Sequence, residues 1–147
     1  MVKVKDISVI KELTTDVSKV QLRSDGIVKV IITEGADVDL TASRQIFENV
    51  RSFATKKELL VLVVGGMNGS VSKEAREFAG SDEASSVTIA EAVVTPSIPQ
   101  KLFVNFLLRF YTPKRELQLF NSEEAALEWL YSIKEKYNLG ISLKKNI

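Results

Sequence analysis

The sequence predicts a single α/β domain in which a mixed sheet of about five strands packs with four to five helices. Three observations predict it. Apolar and polar residues alternate in Val17 to Arg23, Ile27 to Thr33 is a richer strand, and Ser24-Asp25-Gly26 lies between them. That is the mark of a hairpin whose glycine takes the positive φ of a tight turn. Leu59 to Val64 is apolar without alternation, as expected of a strand covered on both faces. From Thr41 onward, helically spaced segments alternate with short apolar runs, the order that builds parallel strands joined by crossover helices.

Taken in order, residues 1–16 mix charge with Val and Ile without a clear period and form a lead-in segment. In the first strand Val20 and Leu22 point one way, and Lys19, Gln21 and Arg23 the other. Glu34 to Asp39 is a loop. Thr41 is placed to cap a helix from Ala42 to about Thr55, whose Ile46, Phe47, Val50, Phe53 and Ala54 make one apolar stripe. Leu59 to Val64 is then a central strand, parallel to its neighbour. The loop Gly65 to Val71 leads into a short helix from Lys73, with Ala75, Phe78 and Ala79 inward, broken by Gly80-Ser81-Asp82.

Val87 to Thr95 is a further strand, stopped by Pro96, and Ile98 to Tyr111 is a helix that ends near Pro113. Glu116 to Phe120 is a short strand. Asn121 begins the last helix, with Glu124 three residues on as in a capping box. Its stripe of Ala126, Trp129, Leu130, Ile133 and Tyr137 buries the single tryptophan. The domain therefore spans 17–137, with 138–147 as a C-terminal tail.

Composition narrows the function. The 147-residue chain has no cysteine and no histidine. Disulfides, thiol nucleophiles, conventional zinc sites and Ser-His-Asp triads are thereby excluded. Catalysis would fall to carboxylates, lysine or tyrosine in unusual environments, so the expectation is a protein that is not an enzyme, with no cofactor and no metal. A net charge of +1 offers no field for nucleic acid. The charged N-terminus lacks an apolar h-region and the longest apolar run is too short to span a bilayer, so the expected location is the cytoplasm.

Two places stand out. The first is the glycine-rich loop after the central strand, with Asn68, Gly69, Ser70, Ser72, Lys73 and Arg76. Gly65, Gly66 and Gly69 fit neither G-x-G-x-x-G nor the P-loop pattern, so nucleotide binding is weakly supported. Ser72 is an N-cap candidate, and a phosphate on Ser70 or Ser72 would meet the helix N-terminus with Lys73 and Arg76 nearby. The second is the helix from Ile98 to Tyr111. Leu102, Phe103, Phe106, Leu107 and Phe110 form its expected buried stripe, while Val104, Leu108 and Tyr111 widen the apolar surface into a dimer face or a ligand-pocket wall. Glu91, inside an apolar strand, is expected at a sheet margin or paired with Lys or Arg, because a lone buried carboxylate is costly.

The strand hairpin, the capped helix, the Ser-capped SVSKEAREFA and the closing LFNSEEAALEWL together resemble the STAS family, the SpoIIAA-like anti-sigma-factor-antagonist domains. The nearest likeness is to their uncharacterised stand-alone bacterial members, over about Val17 to Tyr137. The resemblance implies a non-catalytic regulatory or protein-interaction module. It also implies a serine phospho-switch at the end of the third strand, in an Asp-Ser-[Ser/Thr]-Gly context. Here the segment reads Met67-Asn68-Gly69-Ser70-Val71-Ser72: the aspartate is missing, with Asn68 nearby, and no glycine follows the serines. The wider fold also resembles lipid-carrying domains of the CRAL-TRIO type, which implies a hydrophobic pocket. The leading expectation is a self-associating regulatory module, a homodimer or the partner of another protein. The alternative is a carrier of a small hydrophobic ligand or lipid.

Overall fold

The computed structural model describes residues 6–145. Six strands form the main sheet: β1 (Val9–Thr14), β2 (Ser18–Arg23), β3 (Val28–Ile32), then β5 (Leu59–Val64), β7 (Thr88–Val94) and β8 (Glu116–Phe120). Their spatial order is β1-β2-β3-β5-β7-β8. The first three are antiparallel and the last four run parallel. A second, two-stranded parallel ribbon joins β4 (Asp37–Val38) to β6 (Ser70–Val71). The sheet thus has one strand more than expected, because part of the lead-in segment pairs as β1. That strand lies at the sheet edge with mostly exposed side chains and a bulge between Val9 and Lys11, a device that discourages edge-to-edge pairing.

Helices α1 (Leu40–Arg51), α2 (Lys73–Ala79) and α3 (Ile98–Phe110) join successive parallel strands, and α4 (Glu123–Lys145) closes the chain. The sheet marches in one direction, so right-handed crossovers set α1, α2 and α3 on one face. On that side Val28, Val30 and Val61 pack with Val50 of α1, and Val93 and Leu117 pack with Val104 and Leu107 of α3. On the other face Leu60, Leu62, Ala90 and Ala92 meet Ala126, Leu127, Leu130 and Ile133 of α4. Odd and even residues of β5 therefore enter different cores, which is why that strand shows no alternation.

Local chemistry shifts two helix starts. Asp39, not Thr41, caps α1: its Oδ1 accepts from the Ala42 amide at 2.8 Å, and a carboxylate outcompetes a hydroxyl beside a helix N-terminus. Phe53 and Ala54 lie beyond the helix end yet still pack on the same core. In α4 the cap is Ser122, whose Oγ accepts from Ala125 at 3.1 Å, rather than Asn121. The helix then continues to Lys145, through residues read as a tail.

The β2–β3 turn is tied to α4 by a nearly buried cluster. Asp25 receives Arg23 in bidentate fashion at 3.2 and 2.8 Å, the Tyr131 hydroxyl at 2.7 Å and the Ile27 amide at 3.1 Å. Burial pushes the Asp25 carboxyl up, but the hydrogen bonds from Tyr131, Arg23 and Ile27 outweigh it and hold the group below its ordinary value. Burial, and then the bond to Asp25, push the Tyr131 phenol up.

Candidate functional site

The glycine-rich loop after β5 is shaped by contact with the segment that follows β3. A Cβ on Gly66 would meet Glu34 Cα at 2.9 Å, and one on Gly69 would strike the Ala36 carbonyl. Asn68 takes a positive φ of 60°, a conformation asparagine tolerates better than most residues. The Ser70 amide donates to Ala36 O and the Ser72 amide to Val38 O, each at 3.0 Å. These glycines permit close backbone packing against the segment after β3.

The two serines have different environments. Ser72 caps α2, its Oγ accepting from the Ala75 amide at 3.1 Å. Ser70 is exposed, and its hydroxyl donates to Asp37 Oδ1 at 2.7 Å across the β4–β6 ribbon. A carboxylate thus stands where a phosphate on Ser70 would develop charge, and like charges facing each other across paired strands repel. Lys73 and Arg76 are exposed on α2.

Between the sheet and helices α1, α2 and α3 lies a cavity of about 210 Å³. Its sheet wall includes Val30, Val61, Val63, Val93 and Leu117. Phe47, Phe78 and Leu107 represent the three helices on the opposite wall. Ala36, Val38, Ser70 and Val71 close one side, so the β4–β6 ribbon is part of the wall. Gln100 in the first turn of α3 also lines the cavity. Its Nε2 donates to Gly66 O at 2.8 Å, and its Oε1 accepts from the Thr95 hydroxyl. That side chain clamps the glycine loop to α3.

The cavity is apolar except for a few groups, of which Glu91 and Arg115 carry charge. Arg115, just before β8, has a side chain only 4% exposed. Its Nη1 donates to Ser85 Oγ at 2.8 Å, and its Nε lies 3.4 Å from Glu91 Oε1. Among the described residues that Nε has no hydrogen-bond partner. Glu91 therefore has the basic neighbour its sequence position calls for, but the pair is loosely made.

Helix α3 turns a different face to the core than its sequence suggests. Val104 and Leu107 are buried, whereas Leu102 and Phe110 are each 64% exposed and Phe106 is 42% exposed. With Ile98, these residues form an outward stripe at a four-residue spacing. The sheet under α3 ends at β8, so the helix covers a margin and buries only a narrow face. Of the three residues assigned to an interface or pocket, Val104 lines the cavity. Leu108 is 38% exposed. The half-buried Tyr111 lies so close to Gly80 that a Cβ there would meet its ring at 2.6 Å.

Sequence reasoning missed Gln100 and Arg115 as cavity residues. The signal that could have found Arg115 is Glu91 itself, since an acid in a core strand demands a counter-ion from a neighbouring strand.

Comparison with known proteins adds a family. The model of a domain of unknown function, DUF7793, matches residues 20–134. The chain belongs to the DUF7793 family. No curated protein matches this DUF7793 chain. Among solved structures it is similar to an uncharacterised protein of the DUF3478 family with a SpoIIAA-like fold, from Shewanella loihica PV-4. The TM-score is 0.54 at 14% identity, covering 84% of this chain and 93% of that one. At that identity the likeness shows the fold, so the STAS resemblance holds for the SpoIIAA-like architecture while the matching family is DUF7793. No described helix is long and apolar enough to cross a membrane.

Proposed function

We propose that this DUF7793 chain is a non-catalytic carrier of a small hydrophobic ligand, held between the sheet and helices α1 to α3. The cavity carries this reading. It is a half-open pocket of about 210 Å³ with a mainly apolar lining, the concave and mostly apolar form that small-molecule sites take. An engineered apolar cavity of roughly 150 Å³ takes benzene; this one has room for a substituted ring or a short acyl chain. Among the described residues its charged side chains are Glu91 and Arg115, paired at 3.4 Å. The test is native mass spectrometry and organic extraction of protein purified without detergent. A stoichiometric apolar compound is expected, and a clean apo mass from protein that also rejects added apolar probes would sink the idea.

A second reading, a self-associating regulatory module, is favoured by the outward stripe of α3. A second copy of the chain is its natural occupant, because a straight stripe of Leu102, Phe106 and Phe110 can pack on itself about a two-fold axis. In this reading the loop from Asn68 to Lys73 is the recognition surface, with the exposed Ser70 or the capping Ser72 as phosphoacceptor. Sedimentation should give a wild-type dimer and a Phe106→Lys monomer of unchanged melting temperature. A wild type that stays monomeric at high concentration removes this reading.

A further inference from the structure

Helix α3 carries apolar surface on two sides, and the two are joined. Val104 and Leu107 face the core, and Phe103 lines the cavity while staying half-buried. Phe103 packs on one cluster with Ala79, the last residue of α2. Three and seven residues beyond Phe103, spacings that share a helix flank, Phe106 and Phe110 are exposed with ring centroids 4.8 Å apart. Phe106 also meets the Tyr111 ring at 5.8 Å, and Tyr111 packs at Gly80, where α2 ends. That flank of α3 therefore looks toward α2. Along it, apolar surface runs without a break in kind from the cavity wall at Phe103 to the outward stripe of Ile98, Leu102, Phe106 and Phe110.

The charges on the helix select what covers the stripe. The charged residues of α3 are Lys101 and Arg109, and it contains no acid. Arg109 is exposed, with its guanidinium 5.5 Å from the centre of the Phe110 ring, so a cation stands at the border of the stripe as a snorkelling side chain does. Asp82, two residues past Gly80, is already paired with Lys114 at 3.1 Å. An apolar stripe flanked by cations complements an anionic lipid surface: the apolar side chains enter the acyl region and the cations stay at the headgroups. A second copy of the chain would also bury the stripe, but it would cover the flank at Phe103 as well. A lipid surface instead gives an apolar cargo a route that avoids water, where exposure costs in proportion to apolar area.

We propose that α3 docks the protein on an anionic membrane surface, with Leu102, Phe106 and Phe110 among the outer acyl segments and Lys101 and Arg109 at the phosphates. The 13 residues of α3 are too few to span a bilayer, so the helix lies in the interface. The cavity then fills and empties beside Phe103, directly from and to the bilayer. This rests on the carrier reading and adds to it the surface from which the ligand comes.

The test floats wild-type protein with vesicles of phosphatidylcholine, either alone or with about 30% phosphatidylglycerol. Binding to the anionic vesicles is expected to be about tenfold tighter and to weaken as salt is raised. A variant carrying Leu102→Ser and Phe110→Ser should lose about tenfold or more in vesicle affinity, since it removes two exposed apolar contacts. Its melting temperature serves as the folding check, and the wild-type comparison stands without it. Protein loaded with the neutral fluorophore N-phenyl-1-naphthylamine should deliver it to anionic vesicles at a rate that climbs with vesicle concentration. Wild type that does not float overturns the docking, as does a folded variant that floats equally well. Wild type that sediments as a dimer and ignores vesicles assigns the stripe to a second copy and also overturns it. Delivery at a rate independent of vesicle concentration overturns the direct route. A fluorophore that never enters the protein overturns the carrier reading itself, whether or not the protein floats, so the two failures are told apart.

Discussion

Val63→Phe should fill the cavity and make the empty protein more stable while abolishing ligand binding. Val63 is half-buried on the central strand β5, facing the cavity between the sheet and α3. At about 0.8 kcal/mol per buried CH₂, the added ring carbons are worth about 2–3 kcal/mol if they enter apolar space. Forcing a ring into an already packed core costs typically 1–3 kcal/mol. The sign of the effect therefore reports whether the space exists. With room for the ring, the balance is a gain of about 1 kcal/mol, which raises the melting temperature by about 2–4 °C in a domain of this size. Differential scanning calorimetry of protein stripped of bound lipid measures it, and titration with a fluorescent apolar reporter should show at least tenfold weaker binding, or none. A drop of several degrees would mean that the region is packed, and unchanged reporter binding would mean that the ligand sits elsewhere. Either result refutes the reasoning. Leu62→Phe, on the opposite face of the same strand and fully buried against α4, is the control and should destabilise.

Asp25→Asn should cost about 2–3 kcal/mol in urea denaturation, because it strands the nearly buried Arg23 beside the Tyr131 hydroxyl. The folded Asp25 carboxyl titrates below the ordinary 3.8, so the unfolded chain takes up this proton first as pH falls. Its stabilisation is complete above pH 3.8 and is lost through the folded value. Acid unfolding of wild type should be steeper there than that of the variant, and identical slopes would remove Asp25 as the cause. Ser70→Glu places a carboxylate opposite Asp37 in the β4–β6 ribbon and should cost about 0.5–1 kcal/mol. Because that ribbon walls the cavity, stopped-flow should also show faster reporter release. Ser70→Ala, which loses one exposed hydrogen bond, should leave release nearly unchanged, and equal behaviour of the two variants would dismiss the charge argument. Ser72→Ala should lose about 1 kcal/mol through the α2 cap alone, with the reporter's affinity unaltered.

The β2–β3 hairpin and the parallel half of the fold were legible because their signals are local and periodic. The unbroken apolar run of β5, the turn at Gly26, the serine cap of α2 and the strand Glu116–Phe120 all stand where the residue pattern puts them. The lead-in strand β1 was illegible because an edge strand with exposed side chains shows no burial period. Helix α3 misled for a related reason. It is apolar on several sides, and only the position of the last strand beneath it decides that Val104 and Leu107 are buried while Phe106 and Phe110 face outward. The cavity itself is a gap between elements far apart in sequence, and gaps have no residues of their own. Only Glu91, an acid among core residues, hinted at it, and its partner Arg115 lies on the neighbouring strand's approach, beyond a whole helix.

The carrier account is tested most directly by methyl NMR of isotopically labelled protein, stripped of lipid and titrated with 1-octanol. Saturable shifts are predicted for the methyl groups of Val30, Val61, Val63, Val93 and Leu107, which line the cavity. Leu60, Leu62 and Leu127, packed beneath α4, should stay still. Shifts confined to the outward residues Ile98 and Leu102 of α3, or none that saturate, would contradict the account.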